Sequence, residues 1–197
     1  NSPGIAYGND DVWLLKIDFD GNEKWNKSYG LQNHEVGYDI LELDAGGFFI
    51  VGYRDFYNQS GKDILIIKVD NNGNKVWEKT IGVDGLYNEK AYSISKSKNY
   101  GYLITASTNT TNKDRYDPQI INIDFNGNII WNKTYNGSGL EHTRWVGAST
   151  HDGGLAILGT TNYYQSPGSN EDAYLIKIDK EGNKLWDYAI QGGKNDW

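Results

Sequence analysis

The segment Lys16-Ile17-Asp18-Phe19-Asp20-Gly21-Asn22 returns three times, as Lys68 to Asn74 (KVDNNGN), Asn122 to Asn128 (NIDFNGN) and Lys177 to Asn183 (KIDKEGN), at intervals of 52, 54 and 55 residues. A period of that size marks a tandem array in which each copy is one supersecondary unit that buries its apolar surface against the next. Three positions hold the register. Trp25, Trp77, Trp131 and Trp186 each follow the motif aspartate (Asp18, Asp70, Asp124, Asp179) by seven residues, and Asp11, Asp63, Asp117 and Asp172 precede it by seven. Between the copies a glycine turn runs into an apolar stretch at Asp44 to Gly52, Asn99 to Thr105 and Asp152 to Gly159, three times rather than four.

Within one period the residues are those of strands. Val12 to Ile17, Lys24 to Tyr29, Gly37 to Leu43 and Phe48 to Tyr53 are short runs rich in aromatic and branched side chains, punctuated by Gly, Asn and Asp. An Asp-Gly, Asn-Gly or Glu-Gly step inside each motif predicts a tight hairpin, with glycine supplying the positive φ that a side chain resists. The expectation is an all-β chain with four antiparallel strands per repeat, the arrangement of β-propeller blades.

The DxWLxKIDxxGNxxW-type lines beginning at Asp11, alternating with the Asp-Gly-Gly stretches, resemble the tryptophan-docking repeats of quinoprotein-like β-propellers, and more closely the propeller repeats of archaeal and bacterial cell-surface proteins. The resemblance covers essentially the whole chain. It implies strands A to D running from axis to rim, with Trp25, Trp77, Trp131 and Trp186 packed between blades. It also makes Val12 to Ile17 a C strand, which implies 14 strands, a half blade over 11–30 and full blades over about 36–82, 90–136 and 143–191, so that about three and a half blades are present. Asn1-Ser-Pro-Gly4 is similar to the Gln165-Ser-Pro-Gly168 loop before the last C strand, from which the chain is expected to form part of a larger propeller or tandem array.

Composition removes several classes of function. With 19 Lys plus Arg against 26 Asp plus Glu, the net charge of -7 is the wrong sign for a phosphate-backbone binder, so nucleic acid is not an expected partner. The apolar runs of four or five residues fall far short of the roughly 20 needed for a spanning helix, and membrane insertion is not expected. The absence of cysteine excludes disulfide staples, thiolate metal sites and a Cys nucleophile.

Function is expected where the copies differ, in the connections Arg54 to Lys62, Thr108 to Tyr116 and Thr161 to Glu171 and in those following each outermost strand. His34, Arg54, Tyr57, Tyr87, Tyr116, His142, Trp145 and Tyr164 are the candidate ligand-binding residues, because rings that cover apolar faces beside polar groups suit a glycan or a protein surface. No catalytic residue is selected, since no nucleophile motif is present. Glu35, Asp39, Asp55, Glu89 and Glu141 are the carboxylates from which a glycan-active hydrolase or lyase would draw its pair. A quinone-cofactor dehydrogenase fragment is a further alternative, with no metal site to support it. Asp18 and Asp20 cluster oxygens of the kind calcium takes, but the other copies carry Asn72, Asn126 and Glu181 at the middle position, so a capped turn without cofactor is the expectation.

Asn26, Asn58, Asn109, Asn132 and Asn136 open five N-glycosylation sequons, of which Asn58 and Asn109 lie in loops expected to be the most accessible. Together these features predict a non-enzymatic, extracellular or cell-surface glycoprotein of archaeal type. It would serve structural assembly or adhesion and pair with other propeller segments, with copies of itself, or with a glycan or surface protein.

Overall fold

The computed structural model describes residues 10–30, 33–56, 61–82, 87–97, 101–109, 116–135, 145–161 and 172–190. Among them there are 14 strands and no helix, so the all-β expectation holds. The strands form four antiparallel meanders. β1 (Val12–Ile17) and β2 (Glu23–Tyr29) make a two-stranded sheet, followed by three four-stranded ones: β3 (His34–Glu42), β4 (Phe48–Asp55), β5 (Lys62–Val69) and β6 (Lys75–Ile81); β7 (Glu89–Ser97), β8 (Gly101–Thr108), β9 (Asp117–Ile123) and β10 (Ile129–Thr134); and β11 (Val146–Ser149), β12 (Leu155–Thr161), β13 (Asp172–Ile178) and β14 (Lys184–Ile190). Each strand pairs with its sequence neighbours in its own sheet. The chain divides into two compact units, residues 1–90 and 91–197.

The repeated motif is a self-capped turn. In the first copy Asp18 Oδ1 accepts hydrogen bonds from the Asp20 and Asn22 backbone N–H groups at 3.0 and 2.9 Å, while Oδ2 accepts from Asn22 Nδ2 at 3.3 Å. The other three copies repeat the same three bonds around Asp70, Asp124 and Asp179. The loop is longer than a two-residue hairpin step. Gly21 N–H bonds Asp18 C=O at 3.1 Å, Asp18 N–H bonds Asn22 C=O at 2.9 Å, and the strand register slips between Lys16 and Ile17. This is the three-residue loop closed by a glycine bulge, with Gly21 at φ +84°, a conformation costly for any side chain.

In the unit 1–90, the two sheets pack through Val12, Tyr29, Ile50, Leu65, Ile67 and Val69. The Trp25 ring lies so close over the turn glycine Gly73 that a Cβ there would meet its Cζ3 at 2.8 Å, and the Tyr29 hydroxyl donates to Gly73 C=O at 2.7 Å. The unit 91–197 repeats this contact. Trp131 covers Gly182, where a Cβ would meet its Cζ3 at 2.9 Å, and the Tyr135 hydroxyl donates to Gly182 C=O at 2.8 Å, beside a core of Leu103, Ile120, Trp145, Leu155, Ile157 and Ile176.

The four motif indoles are less buried than the repeat implies. Trp25, Trp77 and Trp131 are half-buried, and Trp186 is exposed at 48%. Trp25 and Trp131 each cover a turn glycine on one side and keep the other side toward water, and Trp186 covers no turn among the described residues. Boundaries also shift. Arg54 belongs to β4, Lys62 to β5, Thr108 to β8 and Thr161 to β12, because the ladder continues into segments whose polar residues read as loop.

Replacing Trp131 by Ala should cost about 2 to 3 kcal/mol, toward the lower end for a large aromatic because the ring is only half-buried. Trp186→Ala should stay within about 0.5 kcal/mol in a dilute chain. Denaturant unfolding of the two variants side by side measures the contrast. The turns also predict acid sensitivity. Backbone N–H groups of Asn22 and Asn74, the largest favourable influence on each, hold Asp18 and Asp70 below the ordinary 3.8. A depressed folded pKa adds stability above pH 3.8 that is lost as pH falls through the folded value. Asp70→Asn, which keeps an accepting oxygen, should make the urea midpoint fall less steeply as the pH drops below 3.8.

Candidate functional site

The candidate site lies in the unit 1–90, where a groove of about 500 Å³ runs between β1 and β3. Its walls carry four carboxylates, Asp10, Asp11, Glu35 and Asp39, and two aromatic rings, Trp13 and Tyr38. Trp13 is 60% exposed and Tyr38 is 37% exposed. Trp13 is in the open because β1 pairs only with β2 among the described residues, so strand alternation sends Val12 into the core and Trp13 outward. Exposed rings beside hydrogen-bond acceptors can take the apolar face and the hydroxyl edge of a sugar, or a cationic group.

Next to the groove, Tyr53 at the end of β4 gathers a second cluster. Its ring centroid is 5.8 Å from that of Tyr38 and 6.3 Å from that of His34. The Lys62 and Lys90 ammonium groups each lie 5.4 Å from its centroid. Burial, reinforced by the charge on Lys62, lowers the pKa of Lys90, while Lys62 pairs with Asp55. The segment after β6 is anchored here as well, since Lys62 N–H donates to Tyr87 C=O at 2.9 Å.

The structure thus brings three of the anticipated ligand residues to one end of the second sheet, in unequal roles. His34 is partly exposed, with Nδ1 3.1 Å from an Asp10 carboxylate oxygen. Tyr87 is half-buried beside Lys62. Arg54 is already committed: Nε donates to Glu35 Oε1 at 2.8 Å and Nη2 to Glu78 Oε1 at 2.7 Å. Burial works against the charge on Arg54, and the bonds to Glu78 and Glu35 outweigh it and raise its pKa. The guanidinium is a structural tie between strands, and the reading of Arg54 as a ligand contact is corrected accordingly.

Trp145 is corrected too. It is fully buried, stacked over Gly159 and edge-on to Tyr174 with centroids 6.1 Å apart, so no ligand reaches it. Tyr116 stands half-buried just before β9, in the other unit. Tyr57, His142 and Tyr164 lie outside the described residues, as do Asn58, Asn136 and Glu141.

Among the carboxylates considered for glycan chemistry, Glu35 and Glu89 are buried, at 1% and 2% exposure, and Glu35 and Asp55 each face a cation. Asp39 remains on the groove wall, where Oδ1 accepts from Ile40 N–H at 2.8 Å. Among the described residues no group of three His, Cys, Asp or Glu is placed to hold a metal ion. Asp18 already spends both oxygens on its own turn. Of the sequon asparagines, Asn132 is exposed and accepts from Gln119 at 3.0 Å, and Asn26 is half-buried and bonded to Glu23. Asn109 is buried at 4% exposure, which overturns its expected accessibility: the ladder of β8 ends only one residue before it.

The residues missed by the sequence are Trp13, Tyr38, Tyr53, Lys62 and Lys90. Trp13 carried a usable signal, because the same repeat position holds Leu65, Gln119 and Tyr174. No protein-family model matches this chain, and no characterised protein matches it at a significant level.

Arg54→Met should destabilise the fold by about 3 kcal/mol, because it strips the buried Glu35 carboxylate of this countercharge. The double variant Arg54→Met with Glu35→Gln should recover part of the loss, as denaturant unfolding would show. A ligand-contact role alone would leave stability unchanged.

Proposed function

We propose that this chain is a segment of a tryptophan-docking β-propeller that serves as a non-enzymatic cell-surface module for assembly or adhesion, with glycan recognition in the groove beside β1. One observation carries the propeller reading. The same contact, an indole over the next sheet's turn glycine and a tyrosine hydroxyl on that glycine's carbonyl, joins successive sheets at Trp25/Tyr29–Gly73 and at Trp131/Tyr135–Gly182. Successive antiparallel sheets packed face to face by a repeated contact are what blades require. Trp13, Tyr38 and the acids around them support the glycan reading, since a planar ring for stacking and carboxylates for hydroxyl groups are the chemistry of sugar binding. The exposed sequon residue Asn132 supports an exported location.

An oligosaccharide array probed with the purified chain, followed by titration of any hit against tryptophan fluorescence, tests the ligand. Binding is expected, with at least a tenfold loss in Trp13→Ala and in Tyr38→Ala. An array without hits, or binding indifferent to both substitutions, would remove the glycan part. Peptide mass spectrometry of native material tests location: a glycan on Asn132 is expected, and unmodified peptides throughout would leave the surface assignment without support.

A further inference from the structure

We infer that the chain associates head to tail with a second copy of itself, the β11–β14 sheet of one copy packing on the β1–β2 sheet of the next. The inference rests on the docking reading above and names the partner of that interface. Two sheet-to-sheet contacts show what the interface needs. On the receiving side are a turn glycine and one apolar strand face: Gly73 with Leu65, Ile67 and Val69, and Gly182 with Tyr174, Ile176 and Ile178, all six side chains at 5% exposure or less. On the donating side is an indole near the start of the outermost strand, Trp25 or Trp131.

Each half of this interface also stands open elsewhere in the same chain. Gly21 has the same left-handed conformation as Gly73 and Gly182, yet a Cβ on it would meet nothing within 4 Å. The strand face beside it is Trp13, Leu15 and Ile17, the repeat equivalents of Leu65, Ile67 and Val69, and these are 60%, 40% and 54% exposed. That is a receiving face without an indole. The donating half is β14, where Trp186, the equivalent of Trp25 and Trp131, is 48% exposed and continues into Tyr188 and Ile190 at 64% and 52%. Contiguous apolar surface of this kind marks an interaction site.

The occupant that fits the receiving face is therefore a surface that the chain itself carries, in a geometry the fold already uses twice. Ile190 stands where Tyr29 and Tyr135 stand, so the hydroxyl-to-carbonyl bond is absent and the contact rests on apolar packing. Because donor and receiver are different surfaces, the interface is heterologous, and each added copy leaves one of each for the next.

Sedimentation velocity on the whole chain and two exposed-site variants tests this. Ile17→Glu, which leaves the glycan groove untouched, blocks the receiver and Trp186→Glu blocks the donor, and circular dichroism confirms that both fold. The wild type should reach at least twice the mass of one chain as its concentration rises toward about 1 mM. Each variant alone should stay at the mass of one chain, and an equimolar mixture should form a two-chain species through the intact donor of one and the intact receiver of the other. A wild type that stays at one chain, a single variant that still associates, or a mixture that does not pair would overturn the inference. Trp131→Ala separates this from the underlying reading. If it destabilises the chain while the wild type remains single, only the head-to-tail association fails; if it changes nothing, the docking contact itself fails.

Discussion

The packing of a large flat indole on a residue with no side chain governs how these sheets meet. A four-stranded antiparallel sheet is marginal alone, because both faces carry apolar residues and its edges carry unpaired backbone groups. A glycine in the left-handed conformation closes the turn and also leaves bare backbone on which the neighbouring ring can rest. Gly73 and Gly182 do both at once. The aspartate that opens each turn makes this possible, since its carboxylate absorbs the backbone N–H groups that such a turn would otherwise leave to water. One short motif therefore encodes a turn, its cap and a docking platform for the next sheet.

Charged groups are placed to support that scaffold before any ligand. Glu35, Arg54 and Glu78 tie three strands of the second sheet together, with Glu35 and Arg54 nearly withdrawn from solvent. Burial makes such an arrangement costly to break rather than strongly stabilising in itself. By contrast, Asp10, Asp39, Trp13 and Tyr38 line an open groove wall, with Asp10 against His34 and Tyr38 against Tyr53, and the recognition we propose is placed there. The two clusters differ less in residue type than in what surrounds them.

Strand number, sheet grouping and the turn positions were legible because the repeat presents the same problem four times, and four matching answers exclude coincidence. In β13 the buried positions alternate along the strand, whereas β1 carries apolar side chains on both faces and only the neighbouring sheet decides which are covered. The site was harder to see. Arg54 and Trp145 look like loop residues offering a charge and a ring, yet β4 runs on past Tyr53 and Gly159 opens a slot for an indole. Asn109 looked equally available, and burial closed it off. Such outcomes depend on contacts between residues 14 to 24 positions apart, Trp145 with Gly159 and Arg54 with Glu35 and Glu78, which no local pattern records.

What the sequence determined by itself is thus the repeating unit: its strands, its self-capped turn and the spacing of its indoles, all set by interactions within a few residues. The tertiary structure alone decided which copies of that unit are satisfied. Trp25 and Trp131 cover glycines while Trp186 does not, and Leu65 is buried where its equivalent Trp13 is open. The physical reason is that burial belongs to the pair of surfaces that meet. Identical motifs acquire different exposure, and with it different chemistry, according to whether a neighbouring sheet stands against them.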